Sequence, residues 1–403
     1  MHRESKKSGI FAHRTDWELS LNPIANTLNR IRDTGVEVID LTISNPTQVN
    51  FYYPQDILRA LNKKENLVYL PVAKGILPAR EAVCSYYAQK GIDVSVENIF
   101  LTCSTSEAYA FLFRLLAAPG DSILFPRPSY PLFDFLARIN DVNLSFYTLK
   151  YSDGWFLSQE KFKECLIGNR AVVIVNPNNP TGSFLTREEI DFVSVECIRN
   201  DIPIISDEVF ADYIFNYKSD ERVFSTFIGN KDVLTFTLGG LSKALGLPQM
   251  KVSWIIVDGP HDYVKEAIAR LEVIADTFLS VNIASQNALF DWFKISSYIQ
   301  NQILDRVRNN YAILAHACQE TERCECFMIE GGWYAVIKLK VRDNFDEEEF
   351  VIDLLEDQNV FVHPGYFFDF DENGYMVISL LPQGEHMKEG ISRLMSQINK
   401  IKL

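Results

Sequence analysis

Thr237-Leu-Gly-Gly-Leu-Ser-Lys-Ala-Leu-Gly-Leu-Pro248 is the stretch on which the reading of this chain turns. It is a short apolar run followed by a glycine-rich turn that carries one lysine, Lys243. Two upstream segments make it interpretable: Val175-Asn-Pro-Asn-Asn-Pro-Thr-Gly182 and Ile204-Ile-Ser-Asp-Glu-Val-Phe210. The first places a turn after an apolar run, and the second an acid at the end of one. In open parallel sheets, ligands gather outside the carboxyl ends of the strands. Asn179, Asp207 and Lys243 are therefore expected around one crevice, with Asp207 just after a strand Ile202–Ile205.

Outward from these segments, residues 50 to 285 alternate short apolar runs with helical patterns. The runs are Ile99-Phe-Leu-Thr-Cys, Ser122-Ile-Leu-Phe, Ala171-Val-Val-Ile-Val, Ile202-Pro-Ile-Ile, Val233-Leu-Thr-Phe and Val252-Ser-Trp-Ile-Ile-Val. They are β-branched and continuous, as strands covered on both faces should be. Amphipathic stretches such as Glu107–Ala118 and Arg187–Arg199 lie between them. The predicted class is α/β: a large domain over 46–285 with a mostly parallel sheet and helices on both faces. After 285 the pattern is α+β, with a long helix Ile295–Glu322, a Gly331-Gly332 break, a helix Glu347–Gln358 and short strands. That predicts a smaller α+β domain over 286–403. Residues 1–45, with a helix starting at Asn22-Pro23, are expected to be an arm and part of the small domain.

The 403 residues carry 39 basic and 53 acidic side chains, a formal charge of 39 − 53 = −14. Such a surface repels nucleic acid and anionic lipid. The charged start Met1-His-Arg-Glu-Ser-Lys-Lys-Ser-Gly lacks a following apolar stretch, and no segment is long and apolar enough to span a bilayer. These features predict a cytoplasmic protein with neither a nucleic-acid nor a membrane partner. Seven scattered Cys without a Cys-x-x-Cys pair read as reduced thiols, and six dispersed His suggest no metal site.

The three segments together resemble the class I and II aminotransferases of fold type I, which use pyridoxal 5'-phosphate (PLP). The likeness runs from about residue 35 to 395. It implies that Lys243 is the catalytic amine that condenses with the cofactor's aldehyde and later moves protons. A lysine beside other cations and partly buried would have the lowered pKa this needs. Asp207 would keep the pyridine nitrogen protonated, Asn179 would donate to the ring oxygen across a cis Asn179-Pro180 bond, and Tyr130 would stack on the ring. Leu101-Thr-Cys-Ser-Thr-Ser-Glu leads from a strand into a helix. Ser104, Thr105 and Ser106 there, with Ser242, would serve the phosphate, although simple N-capping is an equal reading of that segment taken alone. Tyr69 matches a tyrosine that reaches the phosphate of the neighbouring subunit, which implies a homodimer with shared sites.

Four positions depart from the family pattern. Phe210 stands where a tyrosine is usual, Gly240 where Ser or Thr is usual, and Lys251 where Arg is usual. Lysine keeps the charge but loses the bidentate fork. Val377, in Tyr375-Met-Val-Ile-Ser-Leu-Leu-Pro382, occupies the place of the arginine that pairs with the substrate carboxylate. Arg14, Lys74 and Arg127 are the alternative cations, with Arg14 in an aromatic-studded arm that would fold over the pocket. Tyr366, Phe367 and Phe368 are candidates for an apolar pocket. The implied reaction passes an amino group from an amino donor to an oxo acid with ping-pong kinetics. A PLP-dependent lyase or decarboxylase on the same fold, and a non-catalytic PLP-binding regulator, are the other readings.

Overall fold

The computed structural model describes residues 9–215, 226–342 and 344–401. The charged stretch Met1–Ser8, on which the expectation about a leader rests, lies outside them. Fourteen strands are present among the described residues. They are β1 Ile39–Asp40, β2 Ile99–Thr102, β3 Ser122–Arg127, β4 Asn143–Tyr151, β5 Trp155–Leu157, β6 Val172–Val175 and β7 Ile204–Asp207. Then follow β8 Thr235–Gly240, β9 Ser253–Asp258, β10 Cys324–Cys326, β11 Tyr334–Leu339, β12 Val360–Phe361, β13 His363–Pro364 and β14 Tyr375–Ser379.

The large sheet has the order β2-β9-β8-β7-β6-β3-β4-β5. The run β4-β3-β6-β7-β8 is parallel. β9 lies antiparallel between β8 and β2, and β5 antiparallel beside β4. Every residue of β6 and β7 is buried, because helices cover both faces. On one face Phe100, Phe236, Leu238 and Ile255 pack with Ala108 and Leu112 of helix Thr105–Leu116 and Leu271 of helix His261–Phe278. On the other, Ile174, Trp254 and Ile256 join a core shared with Val193 and Tyr86.

Local chemistry fixes the helix ends. Thr186 and Glu189 form a reciprocal capping box at helix Arg187–Asn200, with Thr186 Oγ1 accepting from Glu189 N at 3.1 Å and Glu189 Oε2 from Thr186 N at 2.8 Å. Asn22 caps helix Pro23–Asp33 by accepting from Ala25 N at 2.7 Å, as its Asn-Pro start predicts. The long helix expected over Ile295–Glu322 is Ser296–Gln319, and a separate helix, Ile283–Lys294, precedes it. That helix spans the expected boundary at 285 and packs against helix Leu77–Ala88 beside the large sheet.

The small sheet is antiparallel, in the order β10-β11-β14-β13. Helix Pro23–Asp33 packs on helix Glu347–Gln358, and β1 pairs in parallel with β12. The N-terminal segment thus folds into the C-terminal α+β layer. Residues 12–17 lie along helix Phe133–Ile139: Trp17 meets Phe135 edge-on at 5.7 Å, and Arg138 Nη2 donates to Asp16 O at 2.8 Å.

Two expectations about the deciding stretch change. Gly239 and Gly240 finish β8, and Lys243 sits on one helical turn, Leu241–Ala244, rather than in a glycine-rich turn. The reason is packing: a Cβ at Gly239 would lie 2.4 Å from Trp254 Nε1. Asp207 is the last residue of β7 rather than a residue beyond it.

Candidate active site

β6, β7 and β8 end side by side, and their ends deliver the deciding residues. Asp207 and Leu238 are paired in register, and Lys243 follows five residues later. Asp207 is buried. Its Oδ2 accepts from Tyr109 Oη at 2.9 Å and its Oδ1 from Val209 N at 3.2 Å. Burial raises its pKa to about 6, while the Tyr109 hydrogen bond pulls the other way.

Lys243 is partly open to the cleft, yet burial lowers its pKa to about 8, with Asp207 opposing the shift. Of the two expected causes, burial and neighbouring cations, burial is the one at work. The ammonium nitrogen lies 4.7 Å from the Trp333 ring centroid and 5.1 Å from that of Phe210. Tyr213 Oη donates to Lys243 O at 2.6 Å and its ring packs on Trp333, so the lysine's helical turn is tied down from below. Phe210 is buried against Trp333 and offers no hydrogen bond.

Trp333 reaches the lysine because two backbones meet without side chains between them. A Cβ at Gly182 would lie 2.4 Å from Gly331 O, and one at Gly331 2.3 Å from Tyr213 O. Glu330 N and Gly331 N donate to Gly182 O, and Gly332 N to Tyr213 O. The Asn-Pro turn is thereby stapled to the segment that carries Trp333. Asn176-Pro177, Asn179-Pro180 and Arg127-Pro128 are cis, the second as expected. Asn179 is buried, and its Oδ1 has no hydrogen-bond partner among the described residues. Tyr130 follows the cis Arg127-Pro128 bond, is partly exposed, and feels the charge of Asp207.

Helix Thr105–Leu116 begins beside these strand ends. Ser104 is its N-cap, accepting from Glu107 N at 3.2 Å, with Thr105 and Ser106 in its first turn. Lys251 is exposed, has a left-handed backbone (φ 51°), and its charge acts on the Cys103 thiol. Ser242 shares the Lys243 turn, and Gly240 ends β8.

The other expected residues have different surroundings. Tyr69 is 71% exposed, in a run with Leu67, Val68 and Leu70, which are all at least half exposed. Arg14 pairs with Asp141 at 2.7 Å. Lys74 is turned to the Glu97 carbonyl and carboxylate. The Arg127 guanidinium stacks 3.6 Å from the Phe146 ring centroid. Val377 is fully buried, between Val336 and His363 on neighbouring strands. Phe368 packs on Tyr334, whereas Tyr366 is an exposed residue donating to Glu348 Oε2 at 2.9 Å.

Sequence reasoning missed Tyr109, Tyr213, Trp333 and Tyr334. The Gly331-Gly332 pair before Trp333 was a usable signal. Tyr109 had none, since it lies on the buried stripe of its helix like any core aromatic.

The arrangement is a half-buried amine of lowered pKa, a buried carboxylate within its electrostatic reach, and a buried amide whose oxygen has no hydrogen-bond partner among the described residues. Residues 36–394 match the aminotransferase class I and II family, and the chain belongs to that family, whose members are PLP enzymes that transfer amino groups. It is 27% identical over 388 residues to the glutamate-pyruvate aminotransferase AlaA of Haemophilus influenzae, covering 92% of this chain and 93% of that protein. The AlaA of Escherichia coli K12 is 25% identical over 387 residues, with 92% and 93% covered. The solved alanine aminotransferase of Pyrococcus furiosus superposes with a TM-score of 0.89 at 22% identity, over 97% of this chain and all of that one, a likeness of fold. The chain is an aminotransferase of fold type I.

Proposed function

We propose that this aminotransferase holds PLP on Lys243 and passes an amino group between an amino donor and an oxo acid. The observation that carries this reading is the amine of Lys243, with a pKa near 8, set against the buried Asp207 carboxylate. At neutral pH a usable fraction of such an amine is unprotonated and nucleophilic. Bound there, the cofactor supplies an electron sink for negative charge at the substrate's α-carbon.

The residues present fit that group. Asp207, mostly ionised at pH 7, would accept a hydrogen bond from the protonated pyridine nitrogen and is itself oriented by Tyr109. The NH2 group of the Asn179 amide would donate to the ring oxygen, alone, since Phe210 has no hydroxyl. Tyr130 covers the ring. The N-terminus of helix Thr105–Leu116, with Ser104, Thr105 and Ser106, together with Ser242, the backbone at Gly240 and the Lys251 ammonium, holds the phosphate. Lys243 takes a proton from the substrate's α-carbon and returns it to the neighbouring position. In this reading residues 46–285 are the cofactor domain, and residues 1–45 and 286–403 the small one. Tyr69 serves the site of a second copy, and the exposed run Leu67–Leu70 supports a homodimer.

The relatives named for glutamate, pyruvate and alanine supply the first substrates to try. Val377 argues that an α-carboxylate is not gripped by an arginine at this point of the wall. The test is a spectroscopic titration of PLP-loaded protein against a panel of amino donors. Conversion to the pyridoxamine spectrum by one donor, reversed by one oxo acid, is the expected result. Release of ammonia or carbon dioxide without an acceptor favours the lyase or decarboxylase reading. Borohydride reduction and peptide mapping should place the cofactor on Lys243, and sedimentation should report a dimer.

A further inference from the structure

The glycine at position 240 is not demanded by its own backbone. Its φ of −177° and ψ of 151° are extended values open to any residue. What excludes a side chain there is a neighbour: a Cβ at Gly240 would lie 2.4 Å from Ser253 Oγ and 3.1 Å from Ser253 Cβ. The hydroxyl of Ser253 fills the space a side chain at 240 would take.

Three observations say what that hydroxyl faces. Ser253 is the first residue of β9, paired with Gly240 on one side and Thr102 on the other. Because β9 is antiparallel to both neighbours, its start lies where β2 and β8 end, between the turn of Lys243 and the start of helix Thr105–Leu116. Cross-strand partners share a face, and this face is the one that packs that helix, through Phe100, Leu238 and Ile255. Thr102 Oγ1 ties the same face to the helix start by donating to Ser104 O at 3.1 Å. Lys251, two residues before Ser253, places a cation by the same loop. Ser253 is 2% exposed, and its hydroxyl forms no hydrogen bond among the described residues.

We propose that Ser253 supplies, from the adjacent strand, the hydroxyl that position 240 lacks, and that it donates this hydrogen bond to the phosphate of PLP. The inference rests on the reading of Lys243 as the PLP lysine. It assigns Gly240 and Ser253 as one exchanged pair: the hydroxyl sits on β9 and the space for it is left on β8. The hydroxyls of Ser104–Ser106 are then not the sole replacement.

The pair is tested by titrating four proteins with PLP and with pyridoxal, which lacks the phosphate: the native chain, Ser253→Ala, Gly240→Ser, and the exchange Gly240→Ser/Ser253→Gly. Affinity is read from the absorbance of the bound form and attachment from borohydride labelling of Lys243. Melting temperature of the cofactor-free protein checks folding. Ser253→Ala, which removes only the hydroxyl, should weaken PLP about tenfold, or about 1.4 kcal/mol, and leave pyridoxal within twofold. Gly240→Ser should lower both PLP affinity and melting temperature through overlap with Ser253. The exchange should restore PLP to within about threefold of the native chain. Equal loss for PLP and pyridoxal, no loss in Ser253→Ala, or an exchange no better than Gly240→Ser overturns the proposal. A native chain unlabelled at Lys243 by either aldehyde overturns the functional reading and this proposal with it.

Discussion

The two walls of the cleft differ in kind. On the large-sheet side, Lys243, Asp207, Tyr109 and Asn179 put ionisable or hydrogen-bonding groups at the strand ends, and burial shifts Lys243 and Asp207 toward neutrality. On the small-sheet side, cross-strand pairing puts Tyr334, Val336, Lys338, Tyr375, Val377 and His363 on one face, and Lys338 there is paired with Glu372 at 3.0 Å. Tyr334 lies in electrostatic reach of Tyr130, and Ser129 N donates to Phe368 O at 2.9 Å, so this layer meets the large one beside the site. Burial lowers the pKa of His363 to about 4, with Asp40 opposing, so it is neutral at pH 7. On the proposed reading, the difference assigns the reaction to one layer and substrate choice to the other: the first wall would carry the chemistry, and the second has Val377 where an arginine for a carboxylate was expected.

The sharpest way to break this division is Lys243→Ala. Amino transfer in single-turnover measurements should fall by about 10⁴-fold or more. A variant with near-native turnover would move the chemistry to another wall. Asp207→Asn should lower turnover by about 100-fold while stabilising the cofactor-free protein. The folded pKa of Asp207, about 6, lies above the ordinary aspartate value of 3.8, so the folded state binds the extra proton between these pH values. Stability from this group is full below pH 4 and is lost as pH rises through 6. The amide avoids that loss, so the variant should be more stable by about 3 kcal/mol at pH 7, with no difference at pH 4, as denaturant titrations at the two values would show.

Val377→Arg tests the other wall. A cation restored there should lower KM for a carboxylate-bearing donor about tenfold, in line with a charge-assisted hydrogen bond, with kcat less affected. No change in KM would separate this face from the substrate. The pH dependence of cofactor loading is a finer probe. The lysine must be neutral to react, so the loading rate should rise between pH 7 and 9 with a midpoint near 8. The smallest effect belongs to Tyr109→Phe. It removes one hydrogen bond to Asp207, worth about 1 kcal/mol, and should raise the Asp207 pKa further, read as a shift of the acidic limb of the stability profile.

Much of this was legible because it is local. Continuous β-branched runs declare strands buried on both faces, and Val172–Val175 is buried throughout. Asn22-Pro23 and Thr186 with Glu189 mark helix starts by caps that need only near neighbours. The Asn-Pro turn, Asp207 and Lys243 were legible as a set because each ends or follows a strand of a parallel sheet. Arg14 and Lys74 were legible only as residue types, and the folded chain gives the two cations partners elsewhere.

The sequence by itself determined the α/β class, the order of the strand ends and the residue types available for holding an aldehyde, a ring nitrogen and a phosphate. Those depend on periodicity, turn chemistry and side-chain functional groups, all within a few residues. The tertiary structure decided what surrounds Lys243, why position 240 is glycine, and which small-sheet residues flank Val377. Trp333 lies 90 residues from the lysine, and Ser253 is set against Gly240 by strand register. Desolvation and steric exclusion depend on neighbours brought together across the chain, and a linear pattern does not contain them.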